Sequence, residues 1–307
     1  MNPGLTPVCN LNPLLTAAER GRYAVGSFSP RYTAMIRPVL EGAQRMQSPL
    51  IVQISQRELT RQGISHRAFA DTFYAHILAL GVSVPVALHL DHTKDFEGIQ
   101  SAIEAGFTSV MIDASEKPIA ENIALTRQVV EYAKPLGVSV EAELGRIGTT
   151  DFVETERDEE LYTVPEEAEL FVRETGIDAL AVSVGTAHGV YLVRQPKVDL
   201  ARLAAIRALT DVHLVLHGGS GVPPEMIGGA VSIPGGGVSK VNVATDLELT
   251  ALASLGREQY LTDDDMNALP AEDRRRAQHA VQAIVEDKIE HFLMSARRAG
   301  DTPANRP

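Results

Sequence analysis

Short apolar, β-rich runs recur along this chain, and most are followed by a polar or glycine-containing turn and then by apolar positions at helical spacing. Eight such runs are expected to be strands: YAVGSF (23–28), LIVQIS (50–55), VPVALHLD (84–91), SVMID (109–113), VSVEAEL (138–144), ALAVSVG (179–185), HLVLH (213–217) and KVNVA (240–244). Between them, DFEGIQSAIEAG (95–106) puts Ile99, Ala102 and Ile103 on one helical face, and IAENIALTRQVVEYAKPLG (119–137) reaches its end at Pro135 and Gly137. Strands that alternate with helices predict βα units in a parallel sheet. Eight alternations in roughly 250 residues fit a (β/α)8 TIM barrel better than an open doubly wound sheet. No linker rich in Pro, Gly or Ser divides the chain, so residues 1–307 read as one barrel with a C-terminal helical extension. From Arg257 to Ala299 the pattern predicts a loop and then one long amphipathic helix, which closes the barrel or packs on a second subunit. The acidic stretch 146–168 is either a solvated connection or a mobile lid over the barrel mouth.

Composition narrows the function classes. The net charge of −12, from 28 basic and 40 acidic residues, comes without a Lys/Arg cluster of the kind that tracks phosphate backbones, so nucleic acid is not expected as a partner. Cys9 is the single cysteine, which excludes an internal disulfide framework and any cysteine-rich zinc module and fits a reducing, cytoplasmic compartment. The start MNPGLTPVCNLNPLL has no basic region ahead of an apolar stretch, and no run approaches about eighteen apolar residues, so neither export nor a membrane is expected.

Barrel chemistry sits at the C-terminal ends of the strands, and there this sequence is unusually polar. Asp91 and His92 end the third run, Asp113 the fourth, and Glu141 and Glu143 the fifth; His188, His217 and Asn242 follow on the later ones. Three imidazoles from three strands match a catalytic zinc site, which takes three protein ligands and leaves one position open, so His92, His188 and His217 are assigned to a metal. His89 reads instead as a buried histidine of the core or behind the ligands. Asp91, beside a ligand, is either a general acid/base or a carboxylate that orients a ligand's ring nitrogen. The glycine-rich turns GTAHG (185–189) and HGGSG (217–221), with Ser220, offer backbone N–H groups to a phosphate next to the last two strands.

These segments together resemble the class II, zinc-dependent ketose-bisphosphate aldolases. LHLDH, MIDAS, EAELGRIG, VGTAHGVY, LHGGSGVP and KVNVATDLE occur in family order from about Pro7 to Ala299, and NVAT is similar to the tagatose branch. The resemblance implies that His92, His188 and His217 hold Zn2+, with Glu143 and Asp113 forming an alternate metal position and a monovalent cation (Na+ or K+) nearby. It makes Asp91 the acid/base at the C4 hydroxyl. Asn242 would contact the dihydroxyacetone moiety, while Gly189, Gly218, Ser220, Thr245 and Ser55 would bind substrate and its phosphate. Cleaving C3–C4 of a ketose leaves an electron pair at C3, and without a lysine Schiff base a Lewis-acidic metal is the expected stabiliser. A small-molecule sugar phosphate as substrate and a homodimer or homotetramer are implied as well.

Four positions depart from the family pattern. Ser27-Phe28-Ser29 stands where most relatives have Ala-Phe-Asn, and Leu192 replaces a phosphate-contacting Lys, for which Arg194 is a substitute. Gly148-Thr149-Thr150-Asp151 lacks the usual mobile glutamate, leaving Asp151 or Glu154 to exchange the C3 proton. Glu248 occupies a position where relatives place an Arg or Lys toward the distal phosphate. A carboxylate facing a phosphate there would repel it by up to a few kcal/mol, on the order expected in a partly buried site. Either the aldehyde half carries no phosphate, giving a ketose 1-phosphate substrate, or other groups bind it. The competing readings are a non-catalytic barrel subunit, opposed by the three histidines and Asp91, and a zinc hydrolase, opposed by the lack of a His-x-His pair in YAVGSFS.

Overall fold

All eight apolar runs become strands, and they close in chain order into a parallel barrel. The computed structural model describes residues 7–148, 161–189, 191 and 195–303. The strands are β1 (Val25–Phe28), β2 (Leu50–Ser55), β3 (Val86–Thr93), β4 (Ser109–Ile112), β5 (Ser139–Leu144), β6 (Ala179–Val182), β7 (His213–Leu216) and β8 (Val238–Val243). β8 closes on β1 with Ser27 opposite Asn242. Helix α1 (Leu11–Gly21) precedes β1, and α2 (Ile36–Met46), α3 (Gln56–Gln62), α4 (His66–Leu80), α5 (Phe96–Ala105) and α6 (Ile119–Ala133) fill the first crossovers. α7 (Pro165–Thr175), α8 (Leu200–Leu209), α9 (Pro224–Val231) and α10 (Thr245–Ser254) complete the ring, and α11 (Asp263–Ala268) and α12 (Ala271–Asp287) form the extension. No helix among the described residues is long and apolar enough to cross a membrane.

Two boundaries differ from the sequence pattern. The single long helix expected between Arg257 and Ala299 is broken at Pro270, which caps α12 while Leu269 turns to φ −54°, ψ 146°. Proline has no N–H to continue α11, and its ring drives the preceding residue out of the helical region. Ala277, Val281 and Val285 of α12 pack into the main apolar cluster, so this face closes against the barrel's own helices. The acidic stretch is shorter than expected at its end, because Pro165 starts α7 at a position where its fixed φ suits a helix.

Side chains alternate across each strand, and the alternation sorts the core into two parts. Val52, Ile54, Leu88, Leu90, Val140, Leu180, Leu214 and Val241 face outward into the main cluster under the helices. Inside the barrel, Val25, Ile51, Ala87, Met111, Ala179, Ala181 and Val215 join Leu11, Leu14, Leu15 and Ala18 of α1 in a second cluster. The Leu11 N–H donates to Ser139 Oγ at 3.0 Å and Asn12 Nδ2 to Asp178 Oδ1 at 2.9 Å, at the starts of β5 and β6. α1 therefore plugs the N-terminal mouth. Further up several of the strands the interior turns polar, with Gln53, His89, Glu141 and Lys240 all buried. That gradient leaves the C-terminal mouth for chemistry.

Candidate active site

Strict alternation would send Asp91 and His92 to opposite faces of β3, yet both side chains reach the barrel interior. A register shift between Leu90 and Thr93 breaks the pairing with β4, and His92 takes φ 38°, a left-handed conformation uncommon outside glycine. Such a residue costs about 1–3 kcal/mol and persists where its surroundings over-determine it. Here the strain aims consecutive residues at one mouth.

The three assigned histidines do converge. Ring centroids lie 4.6 Å apart for His92 and His217, 5.0 Å for His92 and His188, and 5.8 Å for His188 and His217. His92 Nδ1 faces Asp113 Oδ2 at 3.0 Å, and His217 Nε2 faces Glu141 Oε1 at 2.8 Å. An ionised carboxylate only accepts, so each of those nitrogens carries the hydrogen when the ring is neutral. The remaining nitrogens, His92 Nε2 and His217 Nδ1, then point lone pairs at each other across 2.9 Å. Two opposed lone pairs at that distance call for a cation. Nitrogen donors of all three rings fall within 4.8 Å of one another, as do donors of His92, Asp113 and Glu143. Glu143 Oε2 is buried with no hydrogen-bond partner among the described residues, which fits the alternate metal position. The residues present thus fit a divalent metal, and carboxylates behind His92 and His217 orient the rings as in metal sites generally.

Electrostatics agree with that donor set. Burial, then the positive charge of His92, lowers His188 to about 3, and burial holds His217 well below its ordinary value, so both are neutral ligands at pH 7. For His92, burial opposes protonation, but Asp91, Asp113 and Glu143 outweigh it and raise the group to about 10. Without a metal, a proton on His92 fills the gap toward His217. Burial and the nearby Asp113 raise Glu143 to about 8. Burial is also the largest influence raising Asp91, whose two oxygens accept from Gln53 Nε2 and Asn242 Nδ2, each at 3.2 Å. Ser27 holds Gln53 in turn. Asp91 is therefore gripped by two side-chain amides and aimed by the bulge.

Sequence reasoning noticed Glu141 without a role and missed Lys240 and Gln53. Lys240 Nζ donates to Glu141 Oε2 at 2.8 Å, making a fully buried chain from Lys240 through Glu141 to His217. Alternation along β8 was the available signal, since it places Lys240 two residues below Asn242 on the interior face. His89 is buried, one of the two placements expected for it being behind the ligands: Nδ1 lies 2.8 Å from Ser109 Oγ and Nε2 3.6 Å from Oε2 of Glu141, the carboxylate behind His217.

The glycine-rich loops lie alongside. Gly189 and Gly218 have φ 118° and 66°, and a Cβ at Gly218 would meet Ala187 O at 2.4 Å, so both turns need glycine. Ser220 Oγ accepts from the Asp246 N–H at 3.2 Å, and Thr245 opens α10. Ser55 is partly committed elsewhere: it caps α3, its Oγ accepting from the Glu58 N–H at 3.1 Å. Asp151, Glu154, Leu192 and Arg194 lie outside the described residues. Glu248 does not face a phosphate as a bare carboxylate. It is buried and paired with Arg31, with Arg61 at 2.6 Å and with Tyr32 Oη at 3.0 Å.

Comparison with known proteins decides the family. The sequence profile described as "Fructose-bisphosphate aldolase class-II" matches residues 9–297. The chain belongs to the class II fructose-bisphosphate aldolase family. A fructose-bisphosphate aldolase of Geobacillus stearothermophilus is 38% identical over 290 residues, covering 94% of this chain and 98% of that protein. Among solved structures, the YdjI aldolase of Escherichia coli K12 superposes with a TM-score of 0.79 at 29% identity, covering 95% of this chain and 99% of that one. A candidate fructose-1,6-biphosphate aldolase of Coccidioides immitis gives 0.78 at 30% identity, covering 94% and 97%. This aldolase is a lyase, and class II members depend on a metal, for which the converging histidines are the fitting donors.

Proposed function

We propose that this aldolase reversibly cleaves C3–C4 of a ketose phosphate to dihydroxyacetone phosphate and an aldehyde, using zinc held by His92, His188 and His217. The observation that carries this reading is the pair of opposed ring nitrogens, His92 Nε2 and His217 Nδ1, beside a third neutral imidazole. Zinc, when bound, supplies Lewis-acid stabilisation for the electron pair that cleavage leaves at C3. Asp91 takes the proton from the C4 hydroxyl as the C3–C4 bond breaks and returns it in condensation. Its partners Gln53 and Asn242 donate from the sides, which keeps the carboxylate in one orientation. Asn242 Oδ1, buried and without a hydrogen-bond partner among the described residues, is available to a substrate hydroxyl on the dihydroxyacetone moiety. The turns at Gly189 and Gly218, with Ser220 and Thr245, cradle the phosphate. Asp113 and Glu143, with His92, form the alternate metal position.

Because position 248 offers no free cation, ketose 1-phosphates stand beside fructose and tagatose bisphosphates as substrates, and the NVAT wording favours the tagatose series. The enzyme is proposed to work as a homodimer or homotetramer in the cytoplasm, with a monovalent cation near the phosphate. The test is release of dihydroxyacetone phosphate from a panel of these sugars, before and after EDTA. Chelation is expected to abolish cleavage and zinc or cobalt to restore it; cleavage that survives full metal removal rejects the mechanism.

A further inference from the structure

We propose that Arg31, in the connection from β1 to α2, binds a phosphate monoester of the substrate and thereby sets specificity. Its backbone sits at φ 59°, again left-handed without glycine. Two carboxylates hold its guanidinium: Nε lies 2.5 Å from Glu58 Oε1, and Nη1 pairs with Glu248. Both carboxylates are fixed in turn. Glu58 accepts from Ser29 Oγ at 2.9 Å and the Ser55 N–H at 3.2 Å, and Glu248 accepts from Tyr32 and Arg61. This frame leaves Nη2 directed at Thr245 Oγ1, 3.5 Å away, too long for a strong bond. A guanidinium has five N–H donors in a rigid fork, so Nη2 keeps capacity for a second acceptor. A phosphate oxygen on the Thr245 hydroxyl would lie within its reach.

The location suits substrate. Arg31 reaches Thr245 at the start of α10, next to Asp246, whose N–H donates to Ser220 Oγ, and its side chain remains 16% exposed. Glu248 serves as the anchor of the positive charge at position 31. That pairing explains Glu248 better than repulsion does. Arg31 and Arg61 against Glu58 and Glu248 sum to zero charge, so recognition rests on donor geometry, and a moderate effect is expected.

The inference depends on the aldolase reading only for where substrate lies, and the experiment separates the two. Arg31→Gln keeps a hydrogen-bonding side chain between the carboxylates, and Arg31→Lys keeps the charge. Calorimetric titration of inorganic phosphate into the metal-loaded full chain is expected to show affinity weakened about 10–100-fold in Arg31→Gln and partly recovered in Arg31→Lys. KM should rise by a similar factor with kcat nearly constant, the signature of lost binding. A rise for bisphosphates alone assigns Arg31 to the aldehyde-half phosphate, and a rise for fructose 1-phosphate as well assigns it to the ketone half. Unchanged phosphate affinity, or a fall in kcat at constant KM, overturns the proposal. If Arg31→Gln is unfolded in a melting experiment, Arg31→Lys decides alone: reduced phosphate affinity supports the role, wild-type affinity overturns it. Should the wild type cleave no sugar phosphate, the aldolase substrate reading fails while the phosphate titration still judges Arg31.

Discussion

Glu141→Gln is the most searching perturbation of the metal site, because it removes one charge and no volume. Glu141 accepts from His217 Nε2 at 2.8 Å and from Lys240 Nζ at 2.8 Å, and all three side chains are buried. The amide has one oxygen and one NH2 group, so it serves only one of these donors. Turning its oxygen to the ammonium is the cheaper choice, since an unpaired buried Lys costs more than an imidazole switched to its other tautomer. The NH2 group then faces His217 Nε2, which must become the acceptor, moving the ring hydrogen to Nδ1. That hydrogen lands on the atom facing His92, and the donor set loses a lone pair. Disturbing such a partner behind a ligand weakens metal binding by about 10–100-fold, equivalent to about 1.4–2.7 kcal/mol. Lys240 also loses its ionic partner, and breaking a buried pair costs about 3–5 kcal/mol, toward the lower end here because one hydrogen bond survives. Chelator competition would measure the metal affinity, and urea denaturation in EDTA the stability. Wild-type metal affinity in a destabilised variant would refute the tautomer reasoning, leaving Glu141 a purely structural partner of Lys240.

Asp91→Ala should retain the metal and lose cleavage by about 100- to 10,000-fold, the usual worth of a positioned acid/base, with metal content and turnover as readouts; near-normal turnover removes Asp91 from its role. The metal-stripped protein should lose stability as pH rises from about 7.5 toward 10, a range in which His188 and His217 are essentially neutral in both states. Burial opposes a proton on His92, yet its carboxylate neighbours raise it to about 10, and burial with Asp113 raises Glu143 to about 8, so the native state binds more protons than the unfolded chain in this window. Melting temperatures in EDTA that climb over that range would contradict it. Metal uptake at pH 7 should release a proton from His92, seen as a buffer-dependent enthalpy in calorimetry, and a buffer-independent enthalpy would show that no proton leaves.

The legible part of this protein was local. Each of the eight apolar runs became a strand, with ends moved by up to three residues: Pro85 delayed β3 to Val86, the bulge carried it on to Thr93, and β6 stopped at Val182. The candidate metal donors were visible as well, because a polar residue closing an apolar run is a one-strand feature. Arg31 was not legible. Its meaning comes from Glu58 and Glu248, and the second lies on α10 beyond the last strand. For the same reason Glu248 read as a repulsive charge, although Arg31 and Arg61 neutralise it.

Sequence alone determined the strand and helix periods, the glycines that permit left-handed turns, and the list of ionisable groups at one mouth. Only the folded barrel decided that His92 Nε2 would face His217 Nδ1, that Asp91 and His92 would both point inward, and that Lys240 would meet Glu141. Periodicity and backbone preference act over a few neighbouring residues and can be read along a chain. Tautomers, proton affinities and ion pairs depend on distances of a few ångströms between strands far apart in sequence, and the register of barrel closure sets those distances.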